Sequence, residues 1–317
     1  MMRKNLKLLM DRDRKQAGIA ILAGCAVLLL FVLVTPLLHS QERAPVVEAP
    51  QEEPETPPVN TYANLGIEAK AAVVYDLATG ETLYARNGKM QLPLASLTKL
   101  LTIYAAAGIL GDTSTVTITP EALATEGESG LYVGESFSFY DAARLSLVAS
   151  SNDATEAIAE AARLVSSTDQ KTMLASAAAT IPLSQTYAVN GTGLDENTSV
   201  SGGYGSAHDV ALLAGALLKK KPEIAAATTK SSISVTSKSG IAHSLSNTNQ
   251  GAVRVPGLLL SKTGFTDLAG GNLVVVFDAG IGHPIAVAVL GSSVSGRFTD
   301  VEKLVRATRE KLAQESL

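Results

Sequence analysis

Ser96 and Lys99 stand three residues apart in Ser96-Leu97-Thr98-Lys99, and no other serine of the chain has a lysine at that spacing. On a helix, positions i and i+3 share a face one turn apart. A hydroxyl and an amine held that way can act as nucleophile and general base, or as nucleophile and proton-transfer partner. The flanks, Pro93-Leu94-Ala95 and Leu100-Leu101-Thr102-Ile103-Tyr104, read as a turn entering an apolar helix. Ser96 would then lie near the positive end of that helix, where backbone N–H groups are free. The plain structural alternative is a capping serine beside a solvated lysine. Two further groupings bear on the choice. Ser150-Ser151-Asn152 falls between helical patterns, where it can cap the second helix or direct Ser150 and Asn152 into a cleft. Lys262-Thr263-Gly264 ends an apolar strand and runs into Phe265-Thr266-Asp267. On an edge strand its ammonium and hydroxyl would suit an anionic substrate group, and Gly264 would admit a ligand backbone. Taken alone, it is only a strand end running into a turn.

The elements that must position these residues follow from their flanks. Ala71–Asp76 reads as a strand, Ala78-Thr79-Gly80 as a turn and Glu81–Ala85 as the returning strand. The helix carrying Ser96 follows. Helices are expected around Tyr140–Val148, Ala154–Val165 and Ala207–Leu218, with Ser151-Asn152-Asp153 supplying N-cap chemistry for the second. The last third returns to strands at Val253–Thr263, Gly271–Ala279 and Pro284–Leu290, the last two joined by a turn at Asp278–His283. Strands at both ends with helices between them predict an α+β fold in which one sheet is built from both termini of the body.

The chain has 317 residues and a formal net charge of −4. That length fits one large domain, or two small ones with extensions. The charge gives no reason to expect nucleic acid as a partner. Cys25 is the sole cysteine, which excludes an intramolecular disulfide. The histidines, His39, His208, His243 and His283, are scattered, so no metal site and no cofactor are expected. Arg3, Lys4, Lys7, Arg12, Arg14 and Lys15 precede an uncharged apolar run from Ala17 to Leu38. As a helix that run spans ~30 Å, the thickness of a bilayer core. The basic flank places the N-terminus in the cytoplasm and the remainder outside it. A cleaved signal peptide would have a shorter core and a small-x-small site. Leu22-Ala23-Gly24-Cys25 is similar to a lipobox, but the apolar residues after Cys25 fit the interior of a membrane helix better. Residues 39–62 hold five prolines and several glutamates and form a self-repelling spacer. The division is therefore a basic tail at 1–16, a transmembrane anchor at 17–38, the spacer at 39–62 and a body at 63–317. The body ends in a charged, helix-prone stretch from Thr299, with Val301, Leu304, Val305 and Leu312 on one partial apolar face that packs on the body or remains a loose tail.

Ser-x-x-Lys opening a helix, Ser-x-Asn between helices and Lys-Thr-Gly on a late strand, in that order, are the signature of serine penicillin-recognising enzymes. The resemblance is closest to the low-molecular-mass D-alanyl-D-alanine carboxypeptidases. It is carried by Asp76–Tyr84 leading to Leu92–Leu100, by Val148–Ala154, by Asn190-Gly191-Thr192-Gly193-Leu194-Asp195 and by Ser261–Asp267. It covers about Leu65 to Ser293. It implies a β-lactamase/transpeptidase-like antiparallel sheet flanked by helices with a helical subdomain. It also implies a peptidoglycan stem peptide ending in D-Ala-D-Ala as substrate, and β-lactams as covalent inhibitors.

On that resemblance Ser96 attacks the peptide carbonyl and Lys99 takes its proton. Ser150 relays a proton to the leaving D-alanine, and Asn152 holds the substrate backbone. Lys262 and Thr263 bind the terminal carboxylate, and the backbone N–H groups of Ser96 and Phe265 form the oxyanion hole. Where the family often has Thr-Ala-Arg-Asp, this chain has Ser206-Ala207-His208-Asp209, and His208 would stand in for an arginine that supports carboxylate recognition. A helix-start residue without a catalytic role is the other reading of His208. The resemblance leaves no room for the β-rich second domain and C-terminal anchor of many relatives, so the N-terminal helix would replace that anchor. No Glu precedes a Leu-Asn pair in the manner of class A β-lactamases. An endopeptidase of peptidoglycan cross-links would use the same residues, and a catalytically weak wall-binding module is the alternative outside enzymology.

Overall fold

The apolar runs from both ends of the body meet in a single sheet, as their pattern predicts. The computed structural model describes residues 60–315 apart from 128, 252, 253 and 281. The predicted tail, membrane anchor and most of the spacer lie outside those residues. No helix among the described residues is long and apolar enough to cross a membrane.

In chain order the hairpin β1 (Ala71–Asp76) and β2 (Thr82–Arg86) is followed by β3 (Leu92–Pro93), a 3-10 turn at Ala95–Leu97 and α1 (Thr98–Ala106). Then come β4 (Thr115–Thr117), α2 (Pro120–Leu123), β5 (Ser136–Ser138), α3 (Phe139–Val148), α4 (Asn152–Ser166) and α5 (Gln170–Thr180). The chain continues through β6 (Tyr187–Ala188), β7 (Gly203–Gly205), α6 (Ala207–Lys220), α7 (Pro222–Ala227), β8 (Ser232–Thr236) and β9 (Ala242–Ser246). It closes with β10 (Leu258–Thr266), β11 (Gly270–Asp278), β12 (Pro284–Ser292) and α8 (Gly296–Glu315).

The main sheet has the order β10-β11-β12-β1-β2, and its pairings are antiparallel. Its central strands are apolar at nearly every position because both faces are covered. One face, with Val73, Val274, Val276, Ala286 and Ala288, joins the main core beneath the helices. The other, with Val74, Val275, Phe277, Val287 and Val289, packs against Val301, Leu304 and Val305 of α8. The C-terminal helix is therefore a layer of the domain and not a loose tail. A charged helix with a narrow apolar stripe suffices because it covers only one sheet face.

The expected helices and strands are present with shifted ends. Ser151 caps α4, its hydroxyl accepting the Ala154 N–H at 3.0 Å. The strand expected to stop at Thr263 instead continues to Thr266, so Lys262-Thr263-Gly264 lies within β10 and not at its end. That strand is the edge of the sheet. The hairpin β8–β9 and the helix α5 were not expected.

Candidate active site

The nucleophile turn is wedged between sheet and helices. Ala95, immediately before Ser96, has φ 49°, a left-handed conformation that costs a non-glycine residue about 1–2 kcal/mol. Neighbouring contacts hold it there. On β11, Asn272 donates from Nδ2 to the carbonyls of Pro93 (3.0 Å) and Leu94 (3.1 Å). Gly264 faces the same turn: a β-carbon there would lie 2.8 Å from Leu94 O and 3.3 Å from Ala95 Cβ. The backbone that its missing side chain admits on this side is the chain's own nucleophile turn.

Lys99 is fully buried in the first turn of α1. Its Nζ reaches Ser96 Oγ at 2.8 Å, Asn152 Oδ1 at 2.6 Å and Thr192 O at 2.9 Å. Three acceptors match the three hydrogens of an ammonium. Burial opposes that charge and brings the Lys99 pKa down to about 7. When Lys99 is neutral, one contact must reverse. Only Ser96 can donate back, because Thr192 O is a carbonyl and Asn152 presents Oδ1. The arrangement therefore aims the lone pair of a neutral Lys99 at the Ser96 hydroxyl, which is what a general base requires. Asn152 is kept in this orientation by its other end, where Nδ2 donates to Glu126 O at 2.5 Å.

Lys262 forms the opposite wall. It is also fully buried, and its Nζ donates to Ser150 Oγ (2.9 Å) and Thr263 O (2.8 Å). Burial first, then the charges of Lys99 and Arg297, hold its pKa well below the usual ammonium value. Ser150 has φ 60°, a second left-handed non-glycine residue at the junction of α3 and α4. The hydroxyls of Thr263 and Thr248 lie 2.6 Å apart, and Thr248 N–H donates to Val148 O at 3.1 Å. Phe265 stands half-exposed two residues further along the edge strand.

The structure brings Ser96, Lys99 and Asn152 into one hydrogen-bonded set, and Ser150, Lys262 and Thr263 into an adjoining one. It does not bring His208 to either. That ring packs edge-on against Tyr75 at a centroid distance of 5.3 Å, and its N–H donates from the backbone to Gly88 O. Tyr75 lies on β1, three strands from β10. Four contributors had no role assigned from the sequence: Thr192, named only within its motif, and Glu126, which act through backbone carbonyls, and Thr248 and Asn272, which reach the site through tertiary packing. No group of three or more His, Cys, Asp or Glu suited to a metal ion occurs among the described residues.

Comparison with known proteins adds an independent line. Residues 58–293 match the family described as D-alanyl-D-alanine carboxypeptidase. The chain is 30% identical over 251 residues to D-alanyl-D-alanine carboxypeptidase DacF of Bacillus subtilis, covering 77% of this chain and 62% of that protein. It is 29% identical to DacD of Escherichia coli, covering 76% of this chain and 63% of that one. The matches thus span about three-fifths of these relatives' lengths. Among solved structures, cefotaxime-bound penicillin-binding protein D2 of Listeria monocytogenes superposes with a TM-score of 0.65 at 28% identity, covering 77% of this chain and 98% of that one.

Proposed function

Since the chain belongs to the D-alanyl-D-alanine carboxypeptidase family of serine peptidases, S11, we propose that it removes the terminal D-alanine from peptidoglycan stem peptides through an acyl-enzyme on Ser96. The observation that carries this reading is the fully buried Lys99, whose Nζ lies 2.8 Å from Ser96 Oγ and whose pKa is brought to about 7. Neutral Lys99 accepts the Ser96 proton as Oγ attacks the carbonyl of the penultimate residue. The N–H groups of Ser96 and Phe265 receive the developing oxyanion, a contribution worth about 3 kcal/mol per donor in such sites. The proton passes through Ser150, which is already bonded to Lys262, to the amine of the leaving D-alanine. Water then enters along the same path and attacks the acyl carbonyl as Lys99 takes its proton; Lys99 passes that proton to Ser96 Oγ as the acyl group leaves, which restores the free serine and the neutral lysine.

The two lysines explain why a carboxylate-ended substrate suits this site. In the empty cleft two buried ammoniums repel each other, and burial disfavours both. A carboxylate beside Lys262 and Thr263 restores the Lys262 charge while Lys99 stays neutral. β-Lactams carry the same acyl amide and carboxylate, so they acylate Ser96 as well. The basic residues before the apolar run 17–38 support placing this chemistry on the outer side of a cytoplasmic membrane.

Labelling with a fluorescent penicillin is the direct test. The protein takes the label covalently and Ser96→Ala does not. Folded protein that stays unlabelled refutes the mechanism. D-alanine release from a pentapeptide stem identifies the carboxypeptidase, whereas turnover confined to cross-linked dimers assigns an endopeptidase instead.

A further inference from the structure

The short sheet β3-β7-β6 lies directly against the nucleophile turn. Leu94 N–H donates to Gly203 O at 2.9 Å, and β3 runs through Pro93 into Ala95-Ser96. Its two faces differ sharply. Gly203 is turned toward α1, where an added β-carbon would lie 2.2 Å from the Thr98 hydroxyl, and Gly205 is turned toward Leu94. Tyr204, between them, points the other way. Residues directly opposite in a ladder share a face. Pro93 is opposite Tyr204, and Tyr204 is opposite Tyr187. The outer face is therefore a row of Pro93, Tyr204 and Tyr187, with the two tyrosine rings stacked at a centroid distance of 5.1 Å. Tyr187 is 49% exposed. The rim is polar: Gln91 Nε2 donates to Gln185 O at 2.7 Å in an exposed bond.

We infer that Pro93, Tyr204 and Tyr187 form a stacking ledge for the pyranose ring of the amino sugar to which the stem peptide is attached. The inference rests on the carboxypeptidase reading above, because that reading fixes the direction of the substrate. With the terminal carboxylate at Lys262 and Thr263 and the scissile carbonyl near Phe265 N–H, the upstream residues leave along the edge of β10 toward Thr266. Asn272, opposite Gly264 on β11, donates to the carbonyls of Pro93 and Leu94. The ledge is thus tied to the end of the sheet from which the substrate leaves. Four extended residues between scissile bond and sugar reach at most ~14 Å, which sets how far from the scissile bond such a ledge can serve. A sugar ring offers an axial C–H face to an aromatic surface and hydroxyl and amide groups to a polar rim. Rigid tyrosines beside the exposed Gln91 meet both needs.

The test compares two substrates, the free pentapeptide and the same peptide carried on its disaccharide. Tyr187 is the residue to change, because it is the exposed member and bears least on folding. Tyr187→Ala raises KM for the disaccharide pentapeptide about tenfold, the loss expected of one stacking contact, and leaves the free peptide unchanged. Tyr187→Phe retains the ring and the parent KM. Equal effects on both substrates, or none on either, overturn the ledge. Should the unaltered protein release D-alanine from neither substrate, the carboxypeptidase reading fails. The ledge is then decided by titration with the free disaccharide: saturable binding lost in Tyr187→Ala supports it, and absence of binding overturns it.

Discussion

Gly193 lies beneath the carbonyl of Ala95, so near that a β-carbon at that position would sit 1.9 Å from the Ala95 oxygen. Both residues are left-handed, Gly193 at φ 79° and Ala95 at φ 49°. The strained turn that presents Ser96 therefore depends on a glycine about a hundred residues away in sequence. Gly193→Ala must push the Ala95 carbonyl aside and take the Ser96 hydroxyl with it. A displacement near 1 Å is enough to lower the acylation rate about a hundredfold. The substitution also imposes about 1–2 kcal/mol of backbone strain. Penicillin acylation kinetics and thermal melting together check this. Acylation at the parent rate would mean that the turn is held without Gly193.

The buried Lys99 predicts an acid limb in the pH dependence. Lys99 acts when neutral, so kcat/KM rises as pH climbs through about 7. Lys262 stands beside it, its own pKa held well below the ordinary value by burial first and then by the charges of Lys99 and Arg297, and the two titrate as a coupled pair. Lys262→Arg keeps a cation there at every accessible pH. The acid limb then moves to slightly lower pH, because the neighbouring charge is permanent. An acid limb that stays in place assigns it to a group other than Lys99. Stability follows the same groups. The Lys99 pKa is below its ordinary 10.5 in the folded state, so the unfolded chain binds more protons between the two values. Stability therefore increases as pH rises from about 7 toward 10.5.

Ser150 separates backbone strain from chemistry. Its φ of 60° suits glycine, while its hydroxyl holds Lys262 Nζ at 2.9 Å. Ser150→Gly relieves the strain and removes the hydroxyl; Ser150→Ala removes the hydroxyl alone. Both variants lose D-alanine release to the same extent, yet Ser150→Gly melts at a higher temperature by the equivalent of about 1 kcal/mol. Activity surviving in either variant would remove Ser150 from the proton path.

The legible part of this protein is the part encoded locally. Ser96 with Lys99, Ser150 with Asn152, and Lys262 with Thr263 each lie within one short motif, and each motif signals its own element. The sheet was legible because its strands are long apolar runs, and α8 was legible as a helix, though its partial apolar face left open whether it packs on the body. What escaped reading arrives from elsewhere in the chain. Thr192 and Glu126 contribute backbone carbonyls, which any residue type would supply. Asn272 sits in an apolar strand where its role depends on which turn packs beside it. Gly264 was legible as a close-approach glycine, but not that the approaching backbone belongs to the same chain. His208 carried a plausible charge in a plausible motif, and the fold directs it to Tyr75 on β1 instead. The hairpin β8–β9 does alternate, with Ile233 and Val235 buried, but at five residues per strand its pattern is too short to stand out.

Thr248 is the missed residue with the sharpest consequence. Its hydroxyl lies 2.6 Å from that of Thr263, and its N–H donates to Val148 O at the end of α3. It thereby ties the strand bearing Lys262 to the helix that leads into Ser150. Thr248→Val preserves shape and removes the hydroxyl, leaving the buried Thr263 hydroxyl without this partner, a loss of about 1–3 kcal/mol. Because Thr263 faces the carboxylate end of the substrate and not the scissile bond, the effect falls on KM, which rises about tenfold, while kcat holds. Thr248→Ser returns the hydroxyl and restores KM. A variant in which kcat falls and KM does not change would place Thr248 in the chemistry of acyl transfer, and failure of the serine variant to restore KM would show that the methyl group, not the hydroxyl, is what Thr263 requires.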